Sequence, residues 1–270
     1  MSQPDARLKA QIAANLEDLG FEVVLLAESG GVKTPDLLAS REGQRFLFEV
    51  KSKHDDEREL ARQRARSAAG QVGEWSEPWA PRNTIAGAIR EGVQQLAAFP
   101  ADGYEFALLW LHAEGRDCES QFQQFAHTLF GLTRVFSLRD SAFDYECYYF
   151  HESAFFSLRA SLDGAIISTP TNAQLCVNTY SARADGLRDS TLARALEGGV
   201  RDPEALEAQG EAIIADCAAD RRNTGGVISY LQKKYDVELL QHMHLGRFTA
   251  WVDADAVEAA SPNPPSGADG

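Results

Sequence analysis

The chain has 270 residues, 40 of them acidic and 26 basic, giving a formal net charge of -14. A polybasic binder that holds nucleic acid by bulk charge has the opposite balance. With 44% hydrophobic residues the chain is too apolar to stay unfolded, and it is long enough to bury a full core in one large domain or a core with an extension.

Leu8, Ile12, Leu16 and Leu19 recur at helical spacing, which predicts an amphipathic helix over 6–19 stopped by Gly20. Residues 21–27 (FEVVLLA) read as a buried strand, and SGGVKTP as the loop after it. Two strands are expected over 36–40 and 45–52, turning at Glu42-Gly43. Residues 54–82 form a polar insert, partly helical and loop-like in its second half. It carries Arg58, Arg62, Arg64, Arg66, Trp75 and Trp79. A helix over 84–98 follows, with Asn83 as its cap and Ile85, Ile89, Val93 and Leu96 on one face. Residues 105–112 (EFALLWLH) are a strand. A helix near 119–130 and a strand near 133–138 come next. Residues 145–180 look strand-rich, with Asp163-Gly164 as a hairpin signal. Helices dominate after 188: Asp202-Pro203 opens one in cap-then-Pro order, and 225–235 suggests another. From about 254 the composition of Ala, Pro, Ser, Gly and Asp predicts a disordered tail.

Cys118, Cys147, Cys176 and Cys217 contain no Cys-x-x-Cys pair and read as reduced thiols of a cytoplasmic protein. MSQPDARLKA lacks an apolar signal region. The longest apolar run, Phe106 to Leu111, is too short for a bilayer, so no membrane partner is expected.

The chemistry concentrates in residues 34–53, TPDLLASREGQRFLFEVKSK. A turn centred between Glu42 and Gly43 sets Asp36 directly opposite Glu49. Opposed side chains have Cβ atoms roughly 4.5–5.5 Å apart, so two carboxylates there repel each other. A divalent cation between them reverses the sign. Mg²⁺ is hard, prefers oxygen and is held by one or two carboxylates with waters and phosphate. Alternation sends Phe46, Phe48 and Val50 into a core and Leu47, Glu49 and Lys51 to the other face. Asp36, Glu49 and Lys51 therefore gather on one side. With six Lys against 20 Arg in the chain, a compact ammonium at position 51 stands out. Taken alone, Glu-x-Lys is also the pattern of a solvated hairpin face, and a one-residue slip would send Asp36 to the other side.

The order helix, strand, strand with Pro35-Asp36, strand with Glu49-Val50-Lys51, helix, strand resembles the core of the PD-(D/E)xK nuclease superfamily over roughly residues 6–112. The resemblance implies an α/β, restriction-endonuclease-like core (αβββαβ, a mixed sheet flanked by helices) with a mixed α+β C-terminal extension. It implies that Asp36, Glu49 and the main-chain carbonyl of Val50 bind Mg²⁺, with Mn²⁺ as a substitute. Lys51 would position or deprotonate the attacking water. Gln95, with Gln94 as runner-up, would be the amide that many members carry near the site. Many members also place a Glu on the first helix. The matching stretch here, Lys9 to Gln11, holds no carboxylate, which leaves a second metal site in question.

The expected organisation is a core over 1–140 with its insert at 54–82, an extension over 141–253 and the tail over 254–270. The expected function is Mg²⁺-dependent hydrolysis of phosphodiester bonds in nucleic acid, DNA first, in restriction, repair or defence. The alternative is a catalytically inactive nuclease-like fold serving as a binding or assembly module. The C-terminal half completes the core, positions substrate, or makes a homodimer or a contact with a partner protein. The Arg-bearing insert reads either as a phosphate-contacting flap or as an acid-balanced surface loop. His242-x-His244 lacks a third ligand nearby, and Ser153, Ser157 and Ser161 lack a nucleophile elbow. Gly225-Gly226 reads as a turn. Arg221-Arg222 and Lys233-Lys234 read as a solvated helical surface.

Overall fold

A computed structural model describes residues 3–27, 34–69 and 73–251. Its first part runs α1 (Gln3–Asp18), β1 (Glu22–Leu25), β2 (Leu37–Arg41), β3 (Gln44–Lys53), α2 (Glu57–Ala68), β4 (Gly73–Pro78), α3 (Asn83–Leu96) and β5 (Phe106–Ala113). With the insert (α2 and β4) set aside, this is the αβββαβ order read from the sequence. The turn between β2 and β3 has two residues, Glu42 and Gly43, both at positive φ (53° and 83°). Such turns match strand twist and fix register. Leu37 pairs with Phe48 and Arg41 with Gln44.

The second part runs α4 (Cys118–Phe130), β6 (Thr133–Ser137), β7 (Asp144–Tyr148), α5 (Ala154–Ser157), β8 (Gly164–Ser168), β9 (Ala173–Val177), α6 (Ala184–Arg188), α7 (Thr191–Ala195), β10 (Val200–Arg201), α8 (Pro203–Ala208), β11 (Ala212–Ile214), α9 (Thr224–Tyr235), β12 (Leu240–Met243) and β13 (Gly246–Trp251). The main sheet has the order β1-β2-β3-β5-β8-β9-β10. It is mixed: β3, β5 and β8 are parallel, while β1, β2 and β3 pair antiparallel. Strand β3 lies inside it and is buried on both faces. Phe46, Phe48 and Val50 join Ile12 and Leu16 of α1. Leu47 joins Ile85, Ile89 and Val93 of α3. Each fully buried side chain of this kind contributes roughly 1.5–3 kcal/mol.

A second sheet, β11-β7-β6-β12, packs under α9 around Val135, Phe150, Val227 and Leu231. Arg201 joins the two sheets. From β10 its Nε donates to the Tyr148 hydroxyl of β7 at 2.7 Å, and its guanidinium pairs with Glu146.

Several expectations change. The boundary at residue 140 cuts through both sheets: β6 belongs to the second, while β8, β9 and β10 extend the first. Among the described residues β1 is an edge strand with only β2 beside it, so Val24 and Leu25 stay 56% and 52% exposed rather than buried. The second half of the insert is strand β4, paired along its length with β13 from the chain's far end. Arg82, not Asn83, is the N-cap residue of α3, and it makes no side-chain cap. Asp163-Gly164 is no hairpin turn. Gly164 opens β8 against β5, and the turn to β9 closes where Thr169 N–H donates to the Asn172 carbonyl. Buried Asp163 instead accepts from Ala107 N–H at 2.8 Å and from Ser181 and Arg183. Asp202 caps α8 ahead of Pro203, as its order predicts. The Trp75 side chain, most of the loop after β1 and the tail over 254–270 lie outside the described residues.

Candidate active site

The carboxyl end of β3 carries the pair read from the hairpin. Asp36 stands one position before β2, in line with the Leu37–Phe48 register, so it lies across from Glu49. Its N–H donates to the Phe48 carbonyl at 3.0 Å, and its Oδ2 accepts from Val50 N–H at 2.8 Å. Its Oδ1 is ion-paired with the Lys9 ammonium of α1. Lys9 gets there because it continues the buried stripe of Ile12, Ala13 and Leu16 by helical spacing.

Glu49 sits beneath α3 and is almost wholly buried. Its Oε1 is 2.9 Å from Lys51 Nζ, and its Oε2 is buried with no hydrogen-bond partner among the described residues. An orphaned carboxylate oxygen of this kind calls for an explanation such as an ion. Burial first, and the neighbouring Asp36 charge second, raise the Glu49 pKa from 4.5 to about 7, against the pull of Lys51. Lys51 Nζ also donates to Gln95 Oε1 of α3 at 2.6 Å. Gln94 is exposed on the same helix, so the structure separates the two glutamines.

Asp36, Glu49, Lys51 and Gln95 are thus brought together, with Val50 between Glu49 and Lys51 and its N–H tied to Asp36. Two hard carboxylates, one with a vacant buried oxygen, form a donor set suited to one small divalent cation. Among the described residues no three His, Cys, Asp or Glu side chains converge on a metal position.

Three participants escaped the sequence reading. Lys9 is one. Gly92 is another: a Cβ there would lie 2.7 Å from Leu109 Cδ2 and 3.3 Å from Glu49 Cγ. The missing side chain lets α3 press onto Glu49 and Lys51. The third is Lys53, whose Nζ donates to Gln124 Oε1 of α4 at 2.6 Å, repeating the Lys51–Gln95 pattern two residues on. The Glu-x-Lys-x-Lys alternation was its only sequence signal.

On the other face, a cavity of about 950 Å³ opens between α1 and the ends of β5 and β8, lined by Arg7, Gln11, Asn15, Trp110 and His112. His112 Nδ1 and Trp110 Nε1–H both meet Ser168 Oγ there. The insert is anchored beside the site: Asp55 accepts from Arg116 and Asp117 N–H at the start of α4. Arg58, Arg62, Arg64 and Arg66 all face solvent on α2.

The remaining sequence features resolve into structure. His242 and His244 gain a neighbour in His151, with ring centroids 5.9 and 4.9 Å away. Burial and the two other imidazoles push His151 down to about 4, which keeps it a neutral aromatic in this cluster. Ser153 caps α5, and Ser157 donates to the Ser153 carbonyl. Asn223 caps α9 over Gly226. Lys234 is held by Glu207 and Asp216, and Arg221 by the Ala215 and Cys217 carbonyls, so neither is a loose basic surface. All four cysteines are free, and no helix among the described residues is long and apolar enough to cross a membrane.

Comparison with known families returns the model described as archaeal Holliday junction resolvase (Hjc), matching residues 6–70, about a quarter of the chain. The match spans α1 to the end of α2 and includes Lys9, Asp36, Glu49 and Lys51. No curated protein matches the chain.

Proposed function

We propose, from the premise that residues 6–70 belong to the PD-(D/E)xK nuclease superfamily, that this protein is a Mg²⁺-dependent nuclease cleaving phosphodiester bonds in DNA. Asp36 and Glu49, with the Val50 carbonyl, would hold the cation, and Mn²⁺ would serve in its place. The observation that carries this reading is the vacant, buried Glu49 Oε2 beside a second carboxylate.

When bound, the cation supplies a water of lowered pKa and offsets charge on the scissile phosphate. The chain's own groups do the positioning. Lys51 as an ammonium has three N–H bonds, and Glu49 and Gln95 engage two of them. The third is left to orient the attacking water or meet a phosphate oxygen. Gln95 fixes the direction of that N–H bond, and Gly92 permits the helix approach that places Gln95.

The test is cleavage of duplex, single-stranded and four-way-junction DNA, and of RNA, with Mg²⁺, Mn²⁺ or EDTA. Asp36→Asn, Glu49→Gln and Lys51→Met should each lower the rate by at least about 100-fold. Cleavage that survives these substitutions refutes the site. One observation favours the rival module, namely the Lys9 ammonium already resting on Asp36. DNA binding without cleavage on any substrate or metal would decide for it.

A further inference from the structure

Both oxygens of Asp36 are engaged before any cation arrives: Oδ2 accepts from Val50 N–H, and Oδ1 is ion-paired with Lys9. The backbone contact is compatible with metal binding, because a carboxylate oxygen has more than one lone pair and the Val50 amide carries no net charge. The ammonium is different. It places a full positive charge on an oxygen that a cation shared by Asp36 and Glu49 would use.

That ammonium is not a loose surface group. Lys9 lies on the sheet-facing stripe of α1, its side chain is 20% exposed, and its partner Asp36 is 9% exposed. Solvent therefore screens the pair weakly, and Coulomb interactions at such sites are several times those in water. Glu49 has its own counter-ion in Lys51, yet one of its oxygens stays vacant. The two carboxylates are thus unequal: Glu49 is open to a cation, while Asp36 already holds a built-in one.

Resting on the metal-site reading above, we propose that Lys9 is a positioning residue that competes with the divalent cation for Asp36 and must leave Oδ1 for the cation to be shared. In the metal-free protein it cancels the Asp36 charge. When the cation takes Asp36, the ammonium gives up Oδ1, so metal and Lys9 exclude each other at that oxygen.

The experiment is titration of the full chain with Mn²⁺ alone, read by calorimetry and by the electron paramagnetic resonance signal of the free ion. Lys9→Met keeps the length and apolar stem but removes the charge, and should tighten Mn²⁺ binding roughly tenfold or more. Lys9→Arg keeps the charge and should leave the affinity within about threefold of wild type. Thermal melts of each variant verify that it is folded. Unchanged or weaker binding in Lys9→Met, while Asp36→Asn still abolishes binding, overturns the competition and leaves the metal site standing. Absence of Mn²⁺ binding in wild type and Lys9→Met alike overturns the metal-site reading and this proposal with it.

Discussion

Glu49 offers a direct test of the electrostatics, because its carboxylate is held at a cost that pH switches on and off. Its pKa rises from 4.5 in the open chain to about 7 in the fold, through burial and the Asp36 charge. An acid whose folded pKa is raised leaves the fold unpenalised below the unfolded value. Stability is then lost as pH climbs from about 4.5 through about 7. The shift corresponds to about 3 kcal/mol once the group is ionised in both states. The side chain is only 3% exposed, so solvent relieves little of this. Glu49→Gln keeps the shape and the acceptor for Lys51 but removes the charge. In urea melts with EDTA, the variant should gain on wild type by about 2–3 kcal/mol between pH 5 and pH 8.5. Saturating Mg²⁺ should recover the difference in wild type and do nothing for the variant. Parallel pH dependence in the two proteins, or a variant less stable at pH 8.5, refutes the reasoning.

Gly92→Ala puts a Cβ 2.7 Å from a flexible Leu109 methyl, so the fold yields at a cost of about 1–2 kcal/mol. The same carbon shifts Glu49 and Lys51, so single-turnover cleavage should fall about tenfold or more, and a rate equal to wild type would remove Gly92 from the site. Asp163→Ala strips the Ala107 amide, Ser181 and Arg183 of one shared buried partner and should cost about 3–5 kcal/mol in chemical denaturation. Truncation after residue 245 removes β13, the backbone partner of β4. Limited proteolysis should then cut first within residues 70–82, leaving Asp36, Glu49 and Lys51 on an intact core fragment.

What was legible in the sequence was what local geometry determines. A two-residue turn with Gly at its second position fixes the hairpin register, so the opposition of Asp36 and Glu49 followed from counting. Period-3.6 spacing likewise located α1 and α3 and the buried face of each. What stayed hidden depends on partners far away in the chain. Nothing near Gly164 says that β8 will lie parallel to β5, and nothing in the insert says that β4 will meet β13 some 170 residues later. Lys9 and Gly92 were invisible for the same reason. A lysine and a glycine in helices acquire their roles only when those helices dock on β3. Val24 and Leu25 misled because an apolar run does not reveal that a strand is at a sheet edge.

The net charge of -14 takes on a local meaning at this site. Residues 1–112 carry 13 basic and 17 acidic side chains, while residues 113–270 carry 13 and 23, so most of the excess lies past β5. At physiological salt, exposed charges more than about 8 Å away are largely screened, so only the groups close to the end of β3 act there with full force. There, with both carboxylates ionised, the count is even: Asp36 faces Lys9, and Glu49 faces Lys51. A neutral quartet does not repel a phosphodiester backbone. Add a divalent cation and the same quartet becomes net positive by two, in a pocket buried enough for that charge to be felt. On the metal-site reading proposed above, such a protein would resist indiscriminate adhesion to polyanions and would attract phosphate only where, and only when, the metal binds.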